Sequence, residues 1–520
     1  MPLKFVFGPS GSGKSTYLYQ HVIEESEKYP LKNFIVLVPE QFTMQTQKDL
    51  VSMHPRHGIM NIDVLSFARL AYRVFEETGT KQMQVLDDEG KNLILRKIAG
   101  DYENKLTVLK GNIKKLGYIS EVKSVISEFT QYDIGEEEMD EMLDHLDEDS
   151  RLYYKLKDIR LLYEGFQDYL RERYITKEEL LDVLNSQVKE SELLKNSVVV
   201  LDGFTGFTPV QNRLILELMR CCKEVWVTVT MDERENPYAY KHPYQLFGLS
   251  KQMVTTLVRM AGEDHIEVEE PVCLYGYPVK RFEKNQELAF LERNIFRYGS
   301  GRYDKAVENL EIHAAGNPRQ EADAVAEGIR RLVRKEQYRY RDIGVIVSDM
   351  NVYGDYLEQA FENYGIPVFM DHKRSILLNS FVEYIRSLLN MAEKNFSYES
   401  VFRFLRTNLA GFACEEVDEL ENYVLGLGIR GYKGWQNRWI RRLKGMEEEE
   451  LDRLNHYRVQ LVEKVDNLMF VLKQKRKTVR DITMAVYEFM VKENIQERLQ
   501  RTEEEFQKAG ELALAKEYSQ

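Results

Sequence analysis

Long apolar runs, clustered cysteines, linkers of low complexity and net positive charge are all missing from this sequence. Each absence removes a class of protein. The longest apolar stretches, such as Val198–Leu201, fall far short of the roughly 20 residues a helix needs to cross a bilayer. No membrane role is expected. The chain enters an apolar strand pattern at Leu3–Phe7 instead of a charged and then apolar leader, so a cytoplasmic location is expected. Cys221, Cys222, Cys273 and Cys414 show no C-x-x-C spacing and no His at ligand spacing. They read as buried thiols in a reducing compartment. No histidine sits in an H-E-x-x-H, so no metal site made by protein side chains alone is expected. There is no repeat at a solenoid period. The net charge of −13 argues against binding nucleic acid through bulk charge, although local patches decide that question.

What is present is a long chain with strong α/β patterning. Its 520 residues allow about three or four domains, and 43% hydrophobic residues suffice for large cores. Strands are expected at Leu3–Phe7, Phe34–Val38 and Ile62–Leu65. A helix follows with Phe67, Leu70, Ala71, Val74 and Phe75 on one face. From about 84 to 195 helical patterns dominate. The acidic stretch Asp133–Asp149 there reads as a solvated face. Strands resume at Ser197–Leu201 and Val225–Thr230. A second β/α unit is expected from strands at Leu310–Ala314, Ile343–Val347 and Pro367–Met370, with helices at Arg319–Lys335 and Tyr353–Tyr364 between them. The rest is helical. The pattern of Glu503–Gln520 shows no stop signal, so the chain is expected to be truncated.

One motif carries specific chemistry. Gly8-Pro9-Ser10-Gly11-Ser12-Gly13-Lys14-Ser15 fits G-x-x-x-x-G-K-[ST] between a strand and a helix. Glycines let backbone N–H groups point inward around a phosphate, Lys14 reaches the β and γ phosphates of ATP, and Ser15 can ligate Mg²⁺. The helix adds its positive dipole end. Asp202, ending the apolar run Ser197–Leu201, is the candidate acid for the Mg²⁺. Gln211, further along, is a second candidate for contacting the nucleotide. The residue after Asp202 is Gly203, where many motor ATPases place a Glu that activates water, and the next acid is Glu217. The site therefore reads as one that binds nucleotide and turns it over slowly or not at all. No catalytic residue is assigned. Elsewhere, Arg430, Lys433, Arg438, Arg441, Arg442 and Lys444 form a basic run interleaved with Tyr432, Trp435 and Trp439. That composition suits phosphate neutralisation and base stacking, and equally a helix with aromatics packed inward. A second basic run, Arg330–Arg341, reads as a surface helix.

Eight stretches in order resemble the AddB family of the bacterial AddAB helicase–nucleases. They are GPSGSGKST, VPEQFT (38–43), LSFARLAYRVFEE (65–77), LDGFTGFTPVQ (201–211), NPRQEADAVAEGI (317–329), YRYRDIGVIVSD (338–349), IPVFMDHKRSI (366–376) and LENYVLGLGIRGYKGW (420–435). The resemblance implies an α/β, P-loop NTPase fold with superfamily 1 helicase-like RecA cores. In that plan 1–80 plus 196–300 form the first core and 81–195 a helical insertion. Residues 301–375 would begin the second core, and 376–520 a further insertion. It implies a hydrolase complex that processes DNA double-strand breaks as a heterodimer with an AddA-type partner, on single- and double-stranded DNA, and reads a recombination hotspot in single-stranded DNA. Three departures from an active helicase imply a non-motor chain: only seven residues precede Gly8, Asp202 lacks a following Glu, and Ser348-Asp349 stands where such helicases carry an Arg. The family's nuclease domain, with its Mg²⁺, and its 4Fe–4S cluster are expected only beyond this portion. A small-molecule kinase or stand-alone ATPase, and a nucleotide-gated scaffold without DNA contact, are the alternatives.

Overall fold

The computed structural model describes residues 2–79, 84–113, 115–171, 174–297, 299, 301–370 and 376–519. They fall into two compact units that divide after Ile312. No helix among the described residues is long and apolar enough to cross a membrane.

The first unit is built on a six-stranded sheet. Its strands are β1 (Leu3–Gly8), β2 (Asn33–Leu37), β3 (Ile62–Leu65), β6 (Ser197–Leu201), β7 (Glu224–Thr230) and β8 (Val272–Cys273), in the order β3-β2-β6-β7-β1-β8. Every pairing is parallel. Strands buried on both faces read as continuous apolar runs, and the period of two then divides each run between two cores. Phe5, Phe7, Ile35, Leu37, Val199, Leu201 and Val227 point to one face, where they meet the helices Phe67–Thr78, Pro209–Cys221 and Gly248–Glu263. Val6, Phe34, Val36, Val198, Val200 and Trp226 point to the other, against the helices Lys14–Lys28 and Thr43–Met53.

Between β3 and β6 the chain leaves the sheet. Helices within 88–170 enclose their own core around Leu95, Ile98, Leu162 and Phe166. A short parallel pair, β4 (Gln84–Leu86) with β5 (Tyr174–Thr176), closes the excursion. Leu180, Leu184, Val188 and Leu194 already belong to the sheet's core. The acidic stretch includes the helix Glu136–Asp144, whose Glu136 and Asp140 pair with Arg160, so it forms a solvated face as expected.

In the second unit, helices Pro318–Lys335 and Met350–Asn363 share a small core around Ala322, Ala326, Leu357 and Phe361. The larger core, around Tyr384, Phe404, Leu420, Trp435 and Leu461, joins helices between Ser380 and Ala509. Two expectations fail. Leu310–Ala314, Ile343–Val347 and Pro367–Met370 form no strands. Ile312, Ile346 and Phe369 are almost wholly exposed, and the latter two segments line a cleft of about 910 Å³. A parallel strand needs ladder partners and apolar cover on both faces. The two helices bury only a handful of apolar side chains beside these segments. Second, the last helical pattern is broken: Gly510, at φ 83°, caps the helix Ile495–Ala509, and a short helix Leu512–Ser519 follows. Residues 371–375, within the stretch IPVFMDHKRSI, lie outside the described residues.

Candidate functional site

The Gly8–Ser15 loop sits at the C-terminal ends of parallel strands, where open α/β sheets bind ligands. β1 ends at Gly8, and the helix Lys14–Lys28 begins directly after the loop. Gly11 and Gly13 have φ of 84° and 92°, backbone that L side chains rarely adopt. A Cβ on Gly8 would lie 2.9 Å from the Leu274 carbonyl oxygen. No side chain caps the helix N-terminus, so its first-turn N–H groups remain available to an anion.

Lys14 Nζ donates to the carbonyl oxygens of Gly8 and Pro9, both at 2.9 Å. Burial pushes its pKa down to about 8; Asp202 pulls it up and Arg281 pushes it further down. The result is an ammonium held by neutral oxygens, whose charge an incoming phosphate would stabilise.

Asp202 follows β6 and is buried. Its Oδ1 accepts from Ser15 Oγ at 3.1 Å and from Thr228 Oγ1 at 2.6 Å. Its Oδ2 accepts from Tyr19 OH at 2.7 Å. β7 lies between β1 and β6, and places Thr228 beside Val6 in register. Three hydroxyls thus fix the carboxylate next to Ser15. Burial, and then the Asp202 charge, push the Tyr19 phenol far above its ordinary pKa, so it stays a donor. A Ser hydroxyl touching a buried carboxylate beside an uncapped helix N-terminus is an oxygen donor set suited to Mg²⁺ with a bound triphosphate.

Gly203 adopts φ 79°, and its N–H faces Thr228 Oγ1 at 3.4 Å. A glutamate there would be strained in this backbone, so the position is shaped for glycine. Glu217 offers no substitute: it is buried and paired with Arg220 and Lys189.

The sequence reading missed several neighbours of the loop. Arg281 N–H donates to the Gly11 carbonyl at 3.0 Å, and a Cβ on Gly11 would lie 2.8 Å from Arg281 Cβ. Lys280 Cδ would lie 3.5 Å from a Cβ on Gly13. A Lys-Arg pair this far along the chain carries no motif that would have flagged it. Glu292, with a carboxyl raised by burial and by Asp232, acts electrostatically on Lys14. Tyr19 sits at a helical position that reads as core, with nothing to announce its hydroxyl's partner.

Other sequence candidates fall elsewhere. Gln211 Oε1 accepts from the Thr208 N–H at 3.0 Å and forms a capping box at the helix Pro209–Cys221, so its side chain is a helix cap here. Asp349 likewise caps the helix Met350–Asn363 by accepting from Asn351 N. Cys222 is buried and Cys221 partly so, but Cys273 and Cys414 are exposed, against expectation. Among the described residues no group of three His, Cys, Asp or Glu is placed to hold a metal.

The basic run divides by role. Trp435 and Trp439 are buried in the helical core, so they cannot stack on bases from where they sit. Trp439 Nε1 donates to the Gly434 carbonyl at 2.9 Å. Arg430, Lys433, Arg438, Arg441, Arg442 and Lys444 are all exposed, and Arg438 pairs with Asp452.

Comparison with known proteins gives one consistent family. The family model described as "ADDB, N-terminal" matches residues 5–292. A protein of Lachnoclostridium phytofermentans, named as a subunit of an ATP-dependent helicase/deoxyribonuclease, is 42% identical over all of this chain and 46% of its own length. Proteins of the same name from Caldanaerobacter subterraneus and Clostridium acetobutylicum are 34% and 31% identical, again over all of this chain and 45% of their own lengths. The chain therefore spans about half the length of the curated relatives it matches.

Proposed function

The chain belongs to the AddB family, and from that premise we propose that it is an ATP-binding, non-motor, helicase-like portion of a heterodimeric helicase–exonuclease that processes DNA breaks. The observation that carries this reading is the phosphate loop facing Asp202, with a left-handed glycine directly after the acid. In the proposed site the loop N–H groups and Lys14 hold the triphosphate. Ser15 and Asp202 are the residues that would hold Mg²⁺. The metal, when bound, would neutralise charge on the β and γ phosphates. Tyr19 and Thr228 hold the Asp202 carboxylate in place by hydrogen bonds, while Arg281 adds positive charge at the loop. Glycine follows Asp202 in a left-handed backbone, and Glu217 is engaged by Arg220 and Lys189, which supports binding without fast turnover.

The rest of the reading follows the family. An AddA-type partner supplies the motor, and single- and double-stranded DNA are the substrates. A recombination hotspot is read in single-stranded DNA, and the compartment is the cytoplasm. A nuclease domain with its Mg²⁺ and a 4Fe–4S cluster are assigned to the part of the family beyond this chain, not to its residues. The exposed cations of Arg430–Lys444 are proposed to contact DNA phosphates; the buried tryptophans are not.

Equilibrium binding of a fluorescent ATP analogue tests the nucleotide reading. Mg²⁺-dependent binding that Lys14→Ala abolishes is expected; equal binding by both proteins would refute it. A small-molecule kinase would instead transfer phosphate to small acceptors, which the same protein can be assayed for directly.

A further inference from the structure

The basic run Arg430–Lys444 is not an isolated loop. It is strapped along the outside of the long helix Glu448–Lys473, in the opposite direction. Tyr432 OH donates to Asp466 at 2.5 Å, and its ring lies 3.8 Å from Lys473 Nζ. Further along, the Trp435 and Gln436 carbonyls accept from Arg458 at 2.7 and 3.0 Å. Trp439 exchanges two 2.9 Å hydrogen bonds with Asn455, and Arg438 meets Asp452. From Asp452 to Lys473 the helix rises roughly 30 Å at about 1.5 Å per residue. The strap therefore displays its cations along an extended line.

Arg458 marks this line as unusual. It is buried, yet its hydrogen bonds go only to neutral oxygens: two carbonyls and Asn455 Oδ1. A buried guanidinium without a carboxylate is costly. Here it fastens the strap and leaves its positive charge uncompensated beneath it.

The line continues past the helix. Tyr432 brings the start of the strap against Lys473, and directly after come Lys475, Arg476, Lys477 and Arg480, all exposed. No ion pair holds any of these four among the described residues; Lys477 donates only to the Gln474 carbonyl at 3.1 Å. Where the two basic segments meet, Tyr432, Gln436, Asn467, Phe470, Lys473 and Gln474 line an open cleft of about 600 Å³. Phe470 is 69% exposed, an apolar ring turned to solvent beside cations and amides. Glu463 and Asp466 border the cleft together with Lys473; Asp466 is engaged by Tyr432, and the four cations Lys475, Arg476, Lys477 and Arg480 follow directly along the chain.

We propose that the strap Arg430–Lys444 and the turn Lys473–Arg480 form one continuous binding surface for single-stranded nucleic acid, with Phe470 as a stacking platform for a base. Charge complementarity names the occupant: exposed cations in a row suit a phosphate backbone, and an exposed ring in a roomy polar cleft suits an unpaired base. The inference rests on the DNA-handling reading above and adds to it the turn and Phe470, which no sequence motif marks.

The test titrates the 520-residue chain with labelled oligo-dT over a range of salt, beside Lys475→Ala/Arg476→Ala/Lys477→Ala and Phe470→Ala. All four changed residues are exposed, and melting curves verify the fold. Losing three phosphate contacts is expected to reduce the slope of log K against log salt by about 2. Phe470→Ala is expected to weaken binding roughly tenfold with the slope unchanged, and to leave duplex binding alone. Wild-type slope and affinity in both variants would overturn the proposal while leaving the DNA reading intact. Failure of the unaltered chain to bind oligo-dT would overturn both.

Discussion

The phosphate loop and the basic strap are both candidate anion sites, built on opposite principles. The loop is preorganised. Its geometry comes from three parallel strands, a helix N-terminus and two left-handed glycines, and its lysine is half-buried. The strap is open. Its tryptophans and the Arg458 of the helix beneath it are buried as anchors, and its own cations stand in solvent. A preorganised loop selects by shape and proton balance. An open row selects by charge alone and is screened by salt.

The comparison is most severely tested by the residues that hold each site together. Trp439→Ala removes a buried ring and a hydrogen bond, and is expected to destabilise the helical unit by about 3–5 kcal/mol. Chemical denaturation measures this; a change near zero would show that the strap is not anchored there. Next in size, Lys14→Ala should abolish detectable nucleotide binding, a loss of at least roughly 10- to 100-fold, the range for a charged hydrogen bond. DNA affinity and its salt slope should stay unchanged, and a parallel loss of DNA binding would erase the distinction between the sites.

The pH dependence sharpens the contrast. Burial lowers the Lys14 pKa to about 8, and the ammonium form is the one that binds an anion. Nucleotide affinity should therefore be level below about pH 8. Above it, affinity should fall by up to about tenfold per unit until the higher pKa of the bound lysine is reached. The lysine's lowered pKa also means that the unfolded chain binds the extra proton between about 8 and its ordinary value. The cost of burying the charge is thus felt below pH 8 and is relieved as pH rises through that window. Titrating the affinity from pH 7 to 10 is the check, and a flat profile would place Lys14 outside the phosphate site. The smallest effect belongs to Arg441→Ala/Arg442→Ala. Stability should be unchanged, and the single-strand salt slope should fall by about 1.4.

The sequence shows the parts of this molecule that depend on local pattern. β2 and β6 announce themselves because burial on both faces leaves unbroken apolar runs, β1, β3 and β7 because short apolar runs persist around single polar residues such as Lys4, Asp63 and Thr228, and the loop because glycine, lysine and serine have fixed duties around a phosphate. The same strand signal at Ile343–Val347 and Pro367–Met370 produces no strands, since pairing depends on neighbours that a segment's own residues do not specify. Interleaved tryptophans were equally ambiguous: Trp435 and Trp439 could have faced bases or the core, and only packing against the Glu448–Lys473 helix decides for the core. Arg281, Tyr19 and Thr228 were invisible for a related reason. Each reaches the loop or Asp202 across a long sequence separation, and no spacing rule connects them.

The central claim is that this loop holds nucleotide without driving a cycle. Steady-state ATP turnover by the chain alone, measured with Mg²⁺ and single-stranded DNA at saturating ATP, tests it most directly. Saturable binding with turnover near background is the predicted result. Sustained turnover at the rate of a translocating motor, lost in Lys14→Ala, would contradict it.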